Sequence, residues 1–330
     1  YLFSCVKVPA DLEALQRRWR ALIGTVRQER FPEFLRYHLL CEEPRIRSER
    51  LFKIVRERVK TPSDVFALME ALERRGELFA ALSDATHEYW TENPACRPHV
   101  RDLLLFRVRQ MTPLLFAAWE RLDPADFARV LKMVSVLSFR YSVVSGLNTN
   151  ELEPVYHDAA KAVLDRQART PSDVFERLRS ILVEDEKFEQ DFARFVIDTS
   201  GQRKKLAKYI LARLEQDATG RACDPDTDPA TIEHVLPENP SAEWEGAFPR
   251  EKWDAATYRL ANLTLLESTA NRRVGNAPYA EKVAEYAKSR YAITQEIAKR
   301  APDAWTVEHV DDRQSRLAQR AVHVWRIDFT

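Results

Sequence analysis

From residue 9 to about residue 215 the apolar residues recur at helical spacing, with Leu12, Leu15, Trp19 and Leu22 forming a stripe near the start and Phe127, Val130, Leu131, Val134 and Leu137 another in the middle. Apolar residues three and four apart share one helix face, so the pattern predicts a succession of amphipathic helices parted by short breaks rich in Pro, Asp and Thr. The hexapeptide Thr-Pro-Ser-Asp-Val-Phe occurs twice, at residues 61–66 and 170–175. In each copy Thr suits the N-cap, Pro the first helical position and Asp the first turn, where backbone N–H groups lack partners. Two convergent helix starts and a duplicated helical unit both account for the repeat. Residues 201–214 predict one more amphipathic helix, its polar side carrying Arg203, Lys204, Lys205, Lys208 and Arg213. That side fits either a solvated face or a phosphate-contacting one.

The pattern then changes. Residues 219–229 are too rich in Asp, Pro and Gly for a helix or a central strand. Residues 231–236, Thr-Ile-Glu-His-Val-Leu, predict a short strand closed by Pro237, and residues 260–266, Leu-Ala-Asn-Leu-Thr-Leu-Leu, a second strand, although the leucines leave a helix open. A Trp- and Pro-containing excursion separates the two. Helices are expected over residues 278–290 and 292–300 and from about residue 307 to 324. The fold class is therefore mainly α: a helical domain over residues 1–199, followed by a small α+β domain over residues 200–330. The length of 330 residues agrees with about two domains at roughly 150 residues each.

Composition narrows the classes further. With 45% hydrophobic and 31% charged residues the chain is globular rather than disordered or fibrous. Its 7 Gly form no G-x-G-x-x-G turn and none precedes Lys, which excludes a dinucleotide fingerprint and a P-loop. Lys and Arg number 51, as do Asp and Glu, so no global field draws the chain to polyanions and any such binding must be local. Cys5, Cys41, Cys96 and Cys223 are too scattered for a C-x-x-C zinc pair or a dense disulfide framework. No apolar run is long enough to span a membrane, so a cytoplasmic protein with no membrane partner is expected. The start at Tyr1 rather than Met is expected of a fragment lacking its N-terminal part.

The chemistry concentrates between residues 232 and 276. Strand, loop, strand and helix would bring His234, Asn262 and Asn271 together. A one-metal nuclease needs a neutral imidazole to take a proton from water, oxygen ligands that hold a divalent cation against the scissile phosphate, and a group that fixes the imidazole. Glu233 and His234 could supply the first two from adjacent positions. Neighbouring strand residues point to opposite faces, so the pair can share a site only where the strand ends, as it should near Pro237.

The set Glu233-His234, Asn262 and Asn271 resembles the HNH (ββα-metal) nucleases. The phrases Ile232-Glu-His-Val-Leu-Pro, Ala261-Asn-Leu-Thr-Leu-Leu and Gly275-Asn-Ala-Pro-Tyr, with Lys282, Tyr286, Ser289 and the ending from Arg313 to Trp325, closely resemble the C-terminal nuclease domain of GmrSD-like modification-dependent restriction proteins. This resemblance implies that His234 is the general base and that Asn262 braces the base-bearing loop. It makes Glu233 and Asn271 the ligands of one Mg²⁺ or Mn²⁺ ion, consistent with the preference of these ions for oxygen. The implied reaction is metal-dependent hydrolysis of DNA phosphodiesters, with phage or other foreign DNA as substrate. Arg272, Arg273 and Lys282 are candidates for contacts to the DNA backbone, and Asn276 for a cap on the following helix. In those proteins an N-terminal domain bearing a D-G-Q-Q-R motif, absent here, precedes the helical part. The expected partners are therefore DNA, a missing N-terminal sensor or NTPase domain of the same protein, and a second copy of the chain. The competing reading is a catalytically inactive helical module derived from an HNH domain that binds DNA or a partner, and RNA is an alternative substrate. Trp244, Trp253, Trp305 and Trp325 are read as packing residues rather than base-stacking platforms.

Overall fold

The computed structural model describes residues 1–43 and 46–328. The chain is mainly helical and divides into two compact units, residues 1–182 together with Ile327 and Asp328, and residues 183–326. Among the described residues, no helix is long and apolar enough to cross a membrane.

The first unit contains α1 (Pro9–Val26), α2 (Phe31–Leu40), α3 (Leu51–Arg58), α4 (Pro62–Ala81), α5 (Arg97–Phe106), α6 (Thr112–Arg121), α7 (Pro124–Ser138), α8 (Leu152–Leu164) and α9 (Pro171–Leu178). Both copies of the repeated hexapeptide close a capping box. The Thr61 hydroxyl accepts from the Asp64 N–H while the Asp64 carboxylate accepts from the Thr61 N–H, and Thr170 and Asp173 do the same at α9. Two unpaired N–H groups are thus satisfied at each helix start. α1 packs closely on α4 at Gly76, where a Cβ would lie 2.9 Å from Leu22 Cδ1.

Buried histidines give this unit a pH dependence. Arg75 of α4 is buried; its guanidinium donates to His38 Nδ1 (3.0 Å) and to the His38 carbonyl (2.9 Å), and pairs with Glu120 at 2.7 Å. Burial, reinforced by Arg75, pushes His38 down to about 3, and burial pushes His157 down to about 4. A protonated His38 could no longer accept from Arg75. Because the unfolded chain binds these protons near pH 6.5 and the folded chain does not, stability is complete above about pH 6.5 and falls as the pH drops toward 4. Melting temperatures across that interval should decline, and His38→Gln should flatten the decline; a flat wild-type profile would contradict this assignment.

The second unit holds α10 (Asp185–Phe192), α11 (Gly201–Thr219), β1 (Ala230–His234), α12 (Trp253–Thr257), β2 (Leu263–Glu267), α13 (Ser268–Val274), α14 (Tyr279–Tyr286), α15 (Ala292–Arg300) and α16 (Val307–Val324). β1 and β2 form an antiparallel pair running from Ala230↔Glu267 to His234↔Leu263, and α13 follows β2 directly, giving the order β-β-α. The core beside the pair comprises Val235, Leu236, Trp244, Phe248, Leu266, Tyr279, Tyr286 and Trp305. The basic helix expected over residues 201–214 continues to Thr219, where Gly220 stops it with φ of 66°.

Three further boundaries differ from the pattern-based expectation, each for a local reason. β1 ends at His234, and two residues on, the Leu236 N–H and carbonyl bond to the Asn262 side chain instead of continuing the ladder. Residues 260–262 form a 3₁₀ turn, and β2 starts at Leu263. α14 stops at Tyr286 because Ser289 Oγ and the Arg290 N–H donate to the Glu267 carboxylate at 2.9 and 2.7 Å. A long-range cap starts α15, where Glu215 of α11 accepts from the Ala292 and Ile293 N–H groups, each at 3.0 Å.

Candidate active site

Asn262 is fully buried and uses every hydrogen-bonding site of its carboxamide. Its Oδ1 accepts from the Leu236 N–H (2.8 Å) and Trp305 Nε1 (3.0 Å), and its Nδ2 donates to the carbonyls of Leu236 (2.8 Å) and Thr257 (3.1 Å). The Val235 N–H also donates to the Asn262 carbonyl (2.9 Å). The two residues after His234 are thereby fastened to the turn before β2. That turn is held in its own right: the buried guanidinium of Arg313 donates to the carbonyls of Ala261 and Leu263, and Gln314 Oε1 accepts from the Ala261 N–H. Arg313, Gln314 and Trp305 form a frame that no local motif reveals, since they lie on or just before α16. Trp305→Phe should cost about 1–3 kcal/mol, measured by denaturant unfolding, because it removes one donor from a buried oxygen; an unchanged midpoint would contradict the bracing role.

His234 and Ile232 point to one side of β1 and Thr231 and Glu233 to the other, as the pleat requires. On the first side lies an open cleft of about 620 Å³ lined by Asp198, Thr199, Ser200, Lys204, Ile232, His234, Glu238 and Tyr258. A bridge between Val196 and Arg259, with the Ile197 N–H on the Tyr258 carbonyl at 2.9 Å, lays residues 196–199 alongside the site. His234 Nε2 is 3.3 Å from Thr199 Oγ1 and 3.7 Å from Glu238 Oε1, and the ring meets Tyr258 edge-on at 6.0 Å. Partial burial lowers the imidazole pKa, opposed by Glu238 and aided by Lys282 and Lys204. The ring is therefore neutral near pH 7, the state a proton acceptor needs. Asp198 is turned to local work, accepting from the Ser200 N–H and hydroxyl at 2.9 and 2.7 Å and pairing with Arg203. Lys204 lines the cleft with an exposed ammonium.

The second side is closed. Glu233 is buried, and its Oε1 accepts from Lys282 Nζ and from the Tyr286 hydroxyl, both at 2.7 Å. The same ammonium donates to the His234 carbonyl at 2.7 Å. Burial pushes the Glu233 carboxyl up and the Lys282 ammonium down, each against the attraction of its partner. Lys282, a candidate for contact with DNA, has no solvent exposure and serves as an internal clamp instead. The strand's alternation is the reason: it places Glu233 inside, and a buried carboxylate requires a buried cation.

Asn271, on α13, donates from Nδ2 to Thr231 Oγ1 (2.9 Å) and to the Ile232 carbonyl (3.0 Å), tying α13 to β1. Arg272 and Arg273 are exposed on the last turn of α13, Arg273 paired with Glu285. Asn276 is exposed and does not cap α14, whose N-cap is Pro278. Trp244, Trp305 and Trp325 are buried packing residues, and Trp253 is half-buried against the core.

The structure therefore does not gather the four implied residues at one point: His234 faces the cleft, Glu233 faces the interior, and Asn262 and Asn271 bind backbone. As arranged, Glu233 does not fit a divalent ion, because an ammonium already sits 2.7 Å from the carboxylate and balances its charge. Asn271 commits its carboxamide nitrogen to β1, which leaves Oδ1 as the atom it could offer a cation. Among the described residues, no three His, Cys, Asp or Glu side chains converge in a metal-sized group.

The second unit thus presents a histidine at the end of the first strand of a β-β-α unit, beside an open polar cleft. Residues 182–320 match the family model described as GmrSD restriction endonucleases, C-terminal domain. The second unit is thus similar to the family that its sequence phrases resemble, over a match that covers less than half of the chain. No curated protein matches the chain.

Proposed function

We propose that the second unit is a DNA endonuclease of the HNH type, serving restriction of foreign DNA, with His234 as the base that takes a proton from the attacking water. The observation that carries this reading is a neutral imidazole at the end of β1, facing an open polar cleft while Asn262 holds the backbone that follows it. A phosphodiester entering the cleft meets Lys204, a cation suited to a phosphate oxygen, and the exposed Arg272 offers sequence-independent contact to the DNA backbone. Bond breaking releases the 3′ oxygen and leaves a 5′-phosphate. The dependence on Mg²⁺ or Mn²⁺ that the resemblance implies is part of this proposal and is assigned to none of the residues described. One site attacks one strand, so a double-strand break takes two copies of the chain or two successive nicks.

Supercoiled plasmid incubated with Mg²⁺ or Mn²⁺ should become nicked, and DNA ligase should reseal the nicks, because release of the 3′ oxygen leaves a 3′-hydroxyl beside a 5′-phosphate. Chelation with EDTA should stop the reaction. Nicks that ligase cannot close would contradict the assigned bond cleavage. A folded chain inert toward both DNA and RNA would favour the inactive binding module.

A further inference from the structure

We infer that Thr199 and Glu238 are positioning residues that fix the tautomer of His234, keeping the proton on Nε2 so that Nδ1 is the atom that accepts a proton from water. The inference rests on the reading of His234 as the base. Nε2 has two oxygen neighbours, Thr199 Oγ1 at 3.3 Å and Glu238 Oε1 at 3.7 Å. The Thr199 hydroxyl has one hydrogen and directs it to Glu238 Oε1 at 3.4 Å, so toward the ring it presents only a lone pair. An ionised carboxylate has nothing to donate. Both neighbours of Nε2 are thus acceptors, and the neutral ring is most stable with its hydrogen there.

Tyr258 completes the chain, its hydroxyl donating to the same Glu238 oxygen at 3.1 Å. The order is imidazole N–H to threonine oxygen, threonine O–H to carboxylate, tyrosine O–H to carboxylate. This is the logic of a base oriented by a third group, with a hydroxyl interposed. When Nδ1 takes a proton, the imidazolium gains a second N–H and positive charge, and Glu238 stands close enough to favour it. The contacts are long for hydrogen bonds, as those of catalytic groups often are before substrate binds. Thr199 lies well before β1 in sequence and is set beside His234 by the bridge of Val196 to Arg259 and by the start of α11, which is why no motif around His234 announces it.

The test measures the tautomer and the rate separately. Imidazole nitrogen NMR of the folded full chain, at a pH where the rings are neutral, locates the hydrogen, and His234→Ala identifies the signal among the 7 histidines. The wild type is expected to carry it on Nε2. Thr199→Val, close in shape and unable to accept, combined with Glu238→Gln, should populate the other tautomer. In nicking assays Thr199→Val should lower kcat at least roughly tenfold, a part of the 10²- to 10⁴-fold that a positioned base contributes. KM should be unchanged, and Thr199→Ser should restore the rate. A wild-type hydrogen on Nδ1, or a Thr199→Val/Glu238→Gln protein with an unaltered tautomer, would overturn the inference. An Nε2 hydrogen in a chain that cuts nothing would leave the positioning intact and remove the nuclease reading, so the two failures are distinguishable.

Discussion

His234→Ala is expected to lower the single-turnover rate of DNA nicking by about 10²- to 10⁴-fold while the protein stays folded, the range set by removal of a positioned general base. The prediction has two parts because the side chain has two kinds of neighbour. Its ring lines the cleft, mostly buried beside Tyr258, and makes only long polar contacts there, so truncation removes some packing but no short hydrogen bond. Its backbone is what the fold uses: the carbonyl is held by Lys282 and the following residues by Asn262, and neither contact needs the imidazole. Melting should therefore fall only modestly while the rate collapses. A variant that nicks at the wild-type rate would remove His234 from the chemistry. One that unfolds would show that the ring is structural.

The largest stability effect is expected on the other side of β1. Lys282→Met leaves the buried Glu233 carboxylate with the Tyr286 hydroxyl but no cation, and removal of one partner from a buried ion pair typically costs about 3–5 kcal/mol. Glu233→Ala should cost a similar amount, since it strands an ammonium that has no solvent exposure. Combining Glu233→Gln with Lys282→Met keeps an acceptor for Tyr286 and removes both charges, so most of the loss should be recovered. Urea unfolding of the three proteins measures this. If Glu233→Ala left the midpoint unchanged and abolished Mn²⁺ binding, the carboxylate would be a metal ligand and the clamp would not be its role.

Much of this architecture is legible in the sequence because local rules decide it. Helical periodicity and two Thr-Pro-Ser-Asp starts yield α4 and α9 with the caps expected of them, and α15 and α16 begin and end where the apolar pattern places them. The strand pair and the helix after it follow from short β-compatible runs bounded by turns. The phrase around His234 and Asn262 carries the family resemblance, which the match over residues 182–320 supports.

What the sequence conceals is which side of β1 each residue occupies relative to elements far along the chain. Glu233 reads as a candidate ligand because it adjoins His234, yet alternation turns it inward to Lys282, 49 positions away. Lys282 reads as a surface cation because lysines usually are. Thr199, Glu238 and Tyr258 are unremarkable polar residues until the pairing of residues 196–197 with residues 258–259 sets residues 196–199 beside the cleft. Arg313 and Trp305 support Asn262 from about 50 and 43 positions away, a relation that no window of a few residues contains.

The most direct test of the central claim, that the cleft at the end of β1 cuts DNA through His234, is conversion of supercoiled plasmid to the nicked form by the folded full chain beside its His234→Ala variant, both in Mg²⁺ or Mn²⁺ and both checked by circular dichroism. The account predicts nicking by the wild type and at least roughly a hundredfold less by the variant. Equal rates for the two folded proteins would contradict it.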